Sequence, residues 1–149
     1  MALRIVQFLA VVLTALALVP AGAHLFALPN KIGLAADQYF IAQNIYRGWS
    51  LLGFVWGATL LVNLVLAVMQ RGRRAPFRWA LLACLCSVAA FVIFFVWTFP
   101  ANQATSNWTS IPPDWEALRR QWEYSHAINA LVLLAALCAV TLSVLTSRE

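Results

Sequence analysis

The sequence has few charged residues, and this scarcity limits the class of protein. Charged residues make up 10% of the 149 residues, while 63% are hydrophobic. An average soluble domain has about 25% charged residues. The length fits one domain at most. Several apolar runs approach the roughly 20 residues that a helix needs to cross a bilayer. The composition therefore predicts an integral membrane protein with the lipid bilayer as its surroundings.

Cysteine is also scarce, and this excludes a class of redox enzyme. The three cysteines, Cys84, Cys86 and Cys138, all lie inside apolar runs. No pair falls in a predicted aqueous loop, so the sequence has neither a disulfide framework nor a Cys-x-x-Cys redox pair on the periplasmic side. We therefore predict that the cysteines are small buried hydrophobic residues.

The common catalytic and nucleic-acid-binding patterns are missing as well. No Ser-His-Asp arrangement, phosphate-binding loop or paired-carboxylate site stands out, which argues against hydrolases and kinases. The net charge of +5 does not indicate nucleic acid, because the basic residues form no patch with interleaved aromatics. Four of them fall in the segment 71–78, between two apolar runs. Such a cluster predicts a cytoplasmic loop, with recognition of anionic lipids as an alternative.

What the sequence does have is four long apolar segments. They predict an all-α, integral membrane four-helix bundle formed by one domain, 1–149. Both termini and the arginine-rich loop would be cytoplasmic, and the protein would lie in the inner (plasma) membrane with its site facing the periplasm. The predicted spans are about 3–28, 49–70, 79–99 and 126–146, and the predicted outer-side segments are 29–48 and 100–125.

Two of the helices should extend beyond the membrane on the outer side. The second is predicted to be one helix from about residue 36 to residue 70, since no breaker interrupts it. Pro100 is expected to end the third span. The pair Pro112-Pro113 predicts the start of the fourth helix, because proline is favoured at a helix start.

The stretch 112–129 concentrates charge immediately before an apolar run. On a helix, Trp115, Arg119, Trp122 and His126 share one face. A polar face that runs into a membrane is costly unless something uses it. We therefore predict that these side chains point into the bundle. The residues expected to form a solvated set are Glu116, Arg120 and Glu123.

The chain has only two histidines, His24 and His126, and both are expected near the outer surface of the membrane. The first and fourth helices of such bundles are often neighbours. Two facing imidazoles could hold haem b axially or form part of a copper or iron site. The alternative is that each histidine is an interfacial hydrogen-bonding residue without a ligand.

A GxxxG pattern, Gly53 to Gly57, lies on the second helix and shares a face with Tyr46. The pattern favours a helix-packing seam, with room for a flat ligand as the alternative, and it also makes a homodimer plausible. Either Arg47 or Arg119 could meet haem propionates. The residues predicted to surround a haem or hydrophobic ligand are His24, Tyr46, Arg47, Gly53, Gly57, Arg119, Trp122 and His126.

Three stretches resemble a known family. HLFALPNKIGL, YFIAQNIYRGW and the string Asn102…Trp108…Pro113-Asp-Trp…Leu-Arg-Arg-Gln-Trp-Glu-x-x-His are similar to the small four-span membrane proteins grouped with fungal anthrone oxygenases. The resemblance implies a four-helix fold and, for the fungal branch, oxygenation of a polycyclic phenolic substrate. The positions that match the family pattern are Asn102, Trp108, Arg119, Trp122 and His126.

Two functions follow as expectations. The first is a membrane redox or cofactor-binding protein, or an oxidoreductase acting on a hydrophobic phenolic or quinol substrate. In this first function, His24 and His126 would be ligands, or His126 would be a proton acceptor. Arg119 and Asn102 would orient an anionic or phenolic group. The second is a non-enzymatic membrane subunit whose outer helical extensions bind a partner.

Overall fold

The protein is described by a computed structural model over residues 1–147, and all regular structure within that range is helical. The predicted all-α class is therefore confirmed for the described residues. Four helical stretches are long and apolar enough to cross a membrane, namely Ala2–Lys31, Trp49–Gln70, Arg74–Ala104 and Trp115–Thr146. The α-helices are α1 (Ala2–Lys31), α2 (Ala36–Gln43), α3 (Gly53–Gln70), α4 (Arg74–Ile93), α5 (Phe99–Ala104) and α6 (Trp115–Thr146).

The four long helices pack in a ring in which α6 contacts α1 and α4, and α3 contacts the same two helices. At one end of the ring, Arg73 Nη1 donates to the Ser147 carbonyl at 2.6 Å and Gln7 Nε2 donates to Ser147 Oγ at 2.6 Å. The arginine-rich turn therefore lies beside the start of α1 and the end of α6. We call the opposite end, where α1 ends and α6 begins, the histidine end.

Small side chains form most of the bundle interior. Small residues let helix backbones approach closely, which is how helices associate in a lipid environment. Large apolar side chains such as Phe8, Phe26 and Leu61 are exposed on the outside, as a lipid-facing surface requires. The buried alanines are Ala10, Ala17, Ala21, Ala67, Ala80, Ala83, Ala90, Ala101, Ala127, Ala130, Ala136 and Ala139.

Buried hydrogen bonds tie the helices together in the middle of the bundle. Asn63 Nδ2 donates to Thr14 Oγ1 at 3.2 Å and to Ser87 Oγ at 3.1 Å, which links α3 to α1 and α4. Trp56 Nε1 donates to the Ala17 carbonyl at 3.2 Å. Each such bond contributes on average about 0.6 kcal/mol in a membrane helix bundle. Asn63 therefore joins helices, as a lone amide in a span usually does.

Two prolines do not end helices where the sequence suggested. Helix α1 continues through Pro29 to Lys31, so the connection to α2 starts later than predicted. The third span continues past Pro100 to Ala104, and the prediction that this proline stops it is wrong. A π-helical turn at Phe94–Thr98 precedes the proline. In a regular α-helix the proline ring would clash with the preceding turn, and the missing N–H would leave a carbonyl without its hydrogen bond. The wider π-helical turn accommodates both effects.

The second predicted helix is not continuous, so the prediction of one helix from 36 to 70 is also wrong. Two 3₁₀ turns, Asn44–Tyr46 and Trp49–Leu52, separate α2 from α3. Between them Gly48 has φ = +86°, a left-handed conformation that glycine adopts without steric cost. The break lets α2 lie across the histidine end with Tyr39 and Gln43 buried instead of projecting away.

Candidate functional site

The two histidines meet at the histidine end of the bundle. The rings of His24 and His126 are stacked, with centroids 4.0 Å apart and planes inclined by 27°. The side chains are nearly enclosed, with 4% and 9% of their surface exposed. The prediction that the histidines lie at matching depth on neighbouring helices is confirmed. The Nδ1 atoms of both rings are buried and have no hydrogen-bond partner within the described chain.

Aromatic side chains enclose this pair. Tyr46, Trp122 and Trp49 lie 4.2, 4.8 and 5.7 Å from the centroid of His24. Trp122 also meets His126 edge-on at 4.3 Å. Tyr46 and Trp49 belong to the two 3₁₀ turns, so the break between α2 and α3 is what brings them to the histidines. An unbroken helix would have directed them elsewhere.

A buried ion pair lies above the histidines. Lys31 Nζ, in the last turn of α1, is 2.9 Å from Glu123 Oε1 on α6, and the two residues are 6% and 0% exposed. Tyr39 donates its hydroxyl to the same carboxylate oxygen at 2.9 Å, and Gln43 Nε2 donates to that hydroxyl at 2.7 Å. The prediction that Glu123 is solvated is therefore wrong, because α1 and α2 both cover it.

Lysine 31 links the ion pair to the aromatic enclosure. Its ammonium nitrogen is 4.6 Å from the ring centroid of Tyr46 and 5.2 Å from that of Trp122. Cations interact favourably with aromatic faces at such distances. The same two rings contact His24. A positive charge is thus held beside the histidine pair, separated from it by one layer of rings.

The phenol of Tyr39 is a hydrogen-bond donor at ordinary pH. Burial and the adjacent Glu123 carboxylate raise the pKa of this phenol well above its usual value, which is near 10. Both causes disfavour the phenolate, since it would place a second negative charge in a site that excludes water. Tyr39 therefore keeps its proton and satisfies one oxygen of Glu123.

Arg119 points into the protein, as predicted, and is 7% exposed. Its Nη1 donates to the Leu34 carbonyl at 2.6 Å, in the turn that connects α1 to α2. The guanidinium carbon lies 4.6 Å from the ring centroid of Trp115 and 5.4 Å from that of Tyr39. The buried Nε has no acceptor within the described residues. Arg119 thus lies one helical turn beyond the ion pair.

Asn102 organises two indoles. Its Oδ1 accepts hydrogen bonds from Trp122 Nε1 at 2.8 Å and from Trp108 Nε1 at 3.1 Å. Trp108 reaches this position through three successive residues with positive φ, Ser106, Asn107 and Trp108 itself at 49°, 56° and 65°. Such angles are unfavourable for residues with a Cβ. The contacts of Trp108 in the cluster offset this cost, and the carbonyl oxygen of Asn102 is committed to the aromatic wall.

Other predicted positions lie outside the cluster. Arg47 is exposed and donates to Asn44 Oδ1 at 3.1 Å within its own turn. Gly53 and Gly57 are exposed, and a Cβ added to either would meet nothing within 4 Å. No helix of the described chain packs closely on the GxxxG, so the pattern is not a packing seam within this bundle, and the homodimer that it makes plausible stays a prediction.

Sequence reasoning missed Lys31 as a member of the site. Lys31 lies seven residues after His24, which places both on one face of a helix. This spacing was visible in the sequence, but it places Lys31 on the same face as His24 only if α1 continues through Pro29. A second residue with no assigned role is Asn129, three residues after His126, which is fully buried with both amide atoms unpartnered in the described structure. Unpartnered buried amides commonly bind ordered water.

A metal or a haem fits this arrangement poorly. Among residues 1–147, no three His, Cys, Asp or Glu side chains come together in a way that could hold a metal ion. Axial ligands of a haem lie on opposite faces of the macrocycle and meet the iron edge-on. The rings of His24 and His126 instead stack face to face at 4.0 Å, which leaves no layer for a porphyrin.

Comparison with known proteins yields no relative: no family model matches the chain, and no curated protein or solved structure matches it. The similarity to the anthrone-oxygenase group therefore stays a prediction. The function has to be argued from the site itself.

Proposed function

We propose that the protein is an integral membrane oxidoreductase, oxygenase-like in its chemistry, that acts on a hydrophobic phenolic or quinol substrate at the histidine end. One observation carries this proposal. His24 and His126 form a buried stacked pair inside an aromatic enclosure, and their Nδ1 atoms lack partners among residues 1–147. Unpartnered titratable atoms in an apolar enclosure are costly to keep unless they meet a ligand.

The arrangement supports proton abstraction from a phenol. A neutral imidazole of the pair accepts the phenolic proton while the substrate is oxidised, because a phenol becomes strongly acidic as it loses an electron. Dioxygen, which enters as a co-substrate, takes two electrons and two protons from a quinol and gives the quinone and hydrogen peroxide. Trp122, Tyr46 and Trp49 offer ring faces and edges for an aromatic substrate.

We place this site at the outer end of a bundle in the inner (plasma) membrane. The arginine-rich turn at the opposite end favours the cytoplasmic side, where positive charges are enriched next to membrane spans. The histidine end then faces the periplasm. A hydrophobic phenol or quinol would reach the enclosure from the bilayer, where such molecules partition.

Oxygen consumption tests the proposal directly. The protein in lipid nanodiscs is supplied with anthrone or menadiol, and oxygen uptake is followed with an electrode. We expect uptake above that of empty nanodiscs, and a loss of about 10²-fold or more in His126→Gln, the range seen for removal of a general base. Tyr124→Phe, an exposed change on the same helix, is the matched control.

Two results would overturn the proposal. One is uptake by the wild type no greater than that of empty nanodiscs with both substrates. The other is full activity in a folded double variant His24→Gln/His126→Gln. A Soret absorption band that is lost in both single histidine variants would instead indicate a haem, and the pair would then have to separate to bind it.

The non-enzymatic alternative rests on a different observation. Large apolar side chains point outward along the segment that crosses the histidine end, notably Ile41, Ile45 and Leu51. Such a surface suits lipid or a partner membrane protein. An inactive protein whose histidine variants are as stable as the wild type would favour this function.

A further inference from the structure

We infer that Arg119, at the turn between α1 and α2, binds the carboxylate of an amphipathic ligand. This inference concerns a separate position from the histidine pair and does not rest on the proposed oxidation. Arg119 lies on α6 two turns nearer the helix start than His126. Its guanidinium touches the connecting turn through the Leu34 carbonyl.

The hydrogen-bonding groups of Arg119 are only partly used. Nη1 donates to the Leu34 carbonyl, while the buried Nε has no acceptor among the described residues. In a guanidinium, the N–H of Nε is parallel to one N–H of Nη2. This side-on pair matches the two oxygens of a carboxylate. Among the described residues, Nε therefore lacks the acceptor that one oxygen of a carboxylate would supply.

The charge balance points to the same ligand class. Three ionic side chains are buried at this end, namely Lys31, Arg119 and Glu123. Glu123 lies one turn further along α6 and pairs through Oε1 with Lys31 and Tyr39, while its Oε2 has no partner among the described residues and forms no ion pair with Arg119. The other acids of the described chain, Asp37, Asp114 and Glu116, are exposed. Within residues 1–147, Arg119 thus has no ion-pair partner, and a buried unpaired charge is unfavourable.

The surroundings of the guanidinium suit a carboxylate attached to an apolar body. Trp115 and Tyr39 lie beside the guanidinium and fix its plane. Trp115 is partly exposed and offers apolar surface to the rest of the ligand. The turn above is open to solvent at Gly33 and Ala35, which are exposed. This turn is thus the part of the surface that covers Arg119, and a ligand would reach the guanidinium by displacing it.

Binding of a flat aromatic acid tests the site. The protein in nanodiscs of zwitterionic lipid is titrated with cinnamate by isothermal titration calorimetry, with cinnamamide as the uncharged analogue. We expect the wild type to bind cinnamate and not cinnamamide. Arg119→Lys keeps the charge and removes the fork, and should weaken cinnamate binding about tenfold or more. Arg120→Lys changes the neighbouring exposed arginine and should bind as the wild type does.

Several outcomes would overturn the inference. Cinnamate that binds Arg119→Lys and Arg119→Gln as tightly as the wild type would do so, and so would a wild type that binds no more than empty nanodiscs. Circular dichroism establishes that each variant is folded, and Arg119→Lys decides if Arg119→Gln is not. His126→Gln should still bind cinnamate. Loss of binding in that variant would show that the ligand occupies the histidine enclosure instead.

Discussion

Lys31 and Glu123 form an ion pair that joins the end of α1 to the start of α6, with Nζ and Oε1 2.9 Å apart. Both side chains are almost completely buried. Tyr39 donates to the same carboxylate oxygen, so α2 is attached at this point as well. Three separate parts of the chain therefore converge on one carboxylate, directly above the enclosed histidines.

Removing that carboxylate should destabilise the protein strongly. Glu123→Gln leaves the ammonium of Lys31 buried without a counter-charge, and breaking a buried pair in this way typically costs about 3–5 kcal/mol. The free energy of unfolding in mixed detergent micelles measures the loss. Glu116→Gln is the matched control, because its pair with Arg120 is exposed and 3.9 Å long. That change should have almost no effect.

The double variant Lys31→Met/Glu123→Leu separates charge from packing. Since replacing a buried pair by apolar residues of similar size is often neutral, most of the stability lost in Glu123→Gln should return. A Glu123→Gln variant as stable as the wild type would contradict the buried pair itself.

The stability of the protein should depend on Tyr39 at alkaline pH. The pKa of Tyr39 is raised in the folded state, so the folded protein holds the phenolic proton more tightly than the unfolded chain does. The resulting stabilisation is fully present below the ordinary tyrosine pKa of about 10 and declines as the pH rises above it. Wild type should therefore lose roughly 1.4 kcal/mol more per pH unit than Tyr39→Phe above pH 10.

Absorbance gives an independent reading of the same group. The difference between the alkaline titrations of wild type and Tyr39→Phe at 295 nm should show no phenolate up to about pH 11. A Tyr39 signal with a midpoint near 10 would mean that the phenol is accessible to water.

Asn102 should position the aromatic wall. Asn102→Leu removes the acceptor of both indole N–H groups, those of Trp108 and Trp122. We expect a loss of about 1–3 kcal/mol, the usual cost of leaving buried donors unsatisfied, together with changed tryptophan fluorescence. Asn102→Asp retains an acceptor and should preserve the fluorescence spectrum. Gln103→Ala, at the exposed neighbouring position, is the control.

Gly48 should be the least replaceable glycine of the chain. It has φ = +86°, so Gly48→Ala places a Cβ in a left-handed conformation at a cost of about 1–2 kcal/mol. Gly72→Ala is the matched control, because an added Cβ meets nothing there and the backbone is not left-handed. Thermal unfolding of the two variants measures the difference. Equal stability would indicate that the break between α2 and α3 is not fixed at Gly48.

The sequence was sufficient for the four long apolar helices and for the placing of both histidines at the same end of the bundle. Long apolar runs specify helices because only a helix satisfies its own backbone hydrogen bonds without water. Helical periodicity placed Arg119, Trp122 and His126 on one inward face, and the structure agrees. These features depend on the local chain alone, which is why they could be read in advance.

The burial of Glu123 could not be predicted from the local chain in that way. Its position borders the inward stripe, so its burial depends on whether another segment covers that border. The segment that does so is α2, which turns back at Gly48 because burying Tyr39 and Gln43 against α6 is favoured over continuing one helix. The continuation of α1 beyond Pro29 is likewise stabilised by contacts at the end of the helix, where Lys31 pairs with Glu123.

The sequence by itself therefore determined an all-helical, strongly apolar chain with two histidines at one level and an arginine facing inward. Only the tertiary structure decided that the rings stack, that Lys31 neutralises Glu123 and that Arg119 forms no ion pair with the described part of the chain. The physical reason is that these pairings join residues far apart in the chain. Burial determines their energies, and burial is a property of the assembled bundle.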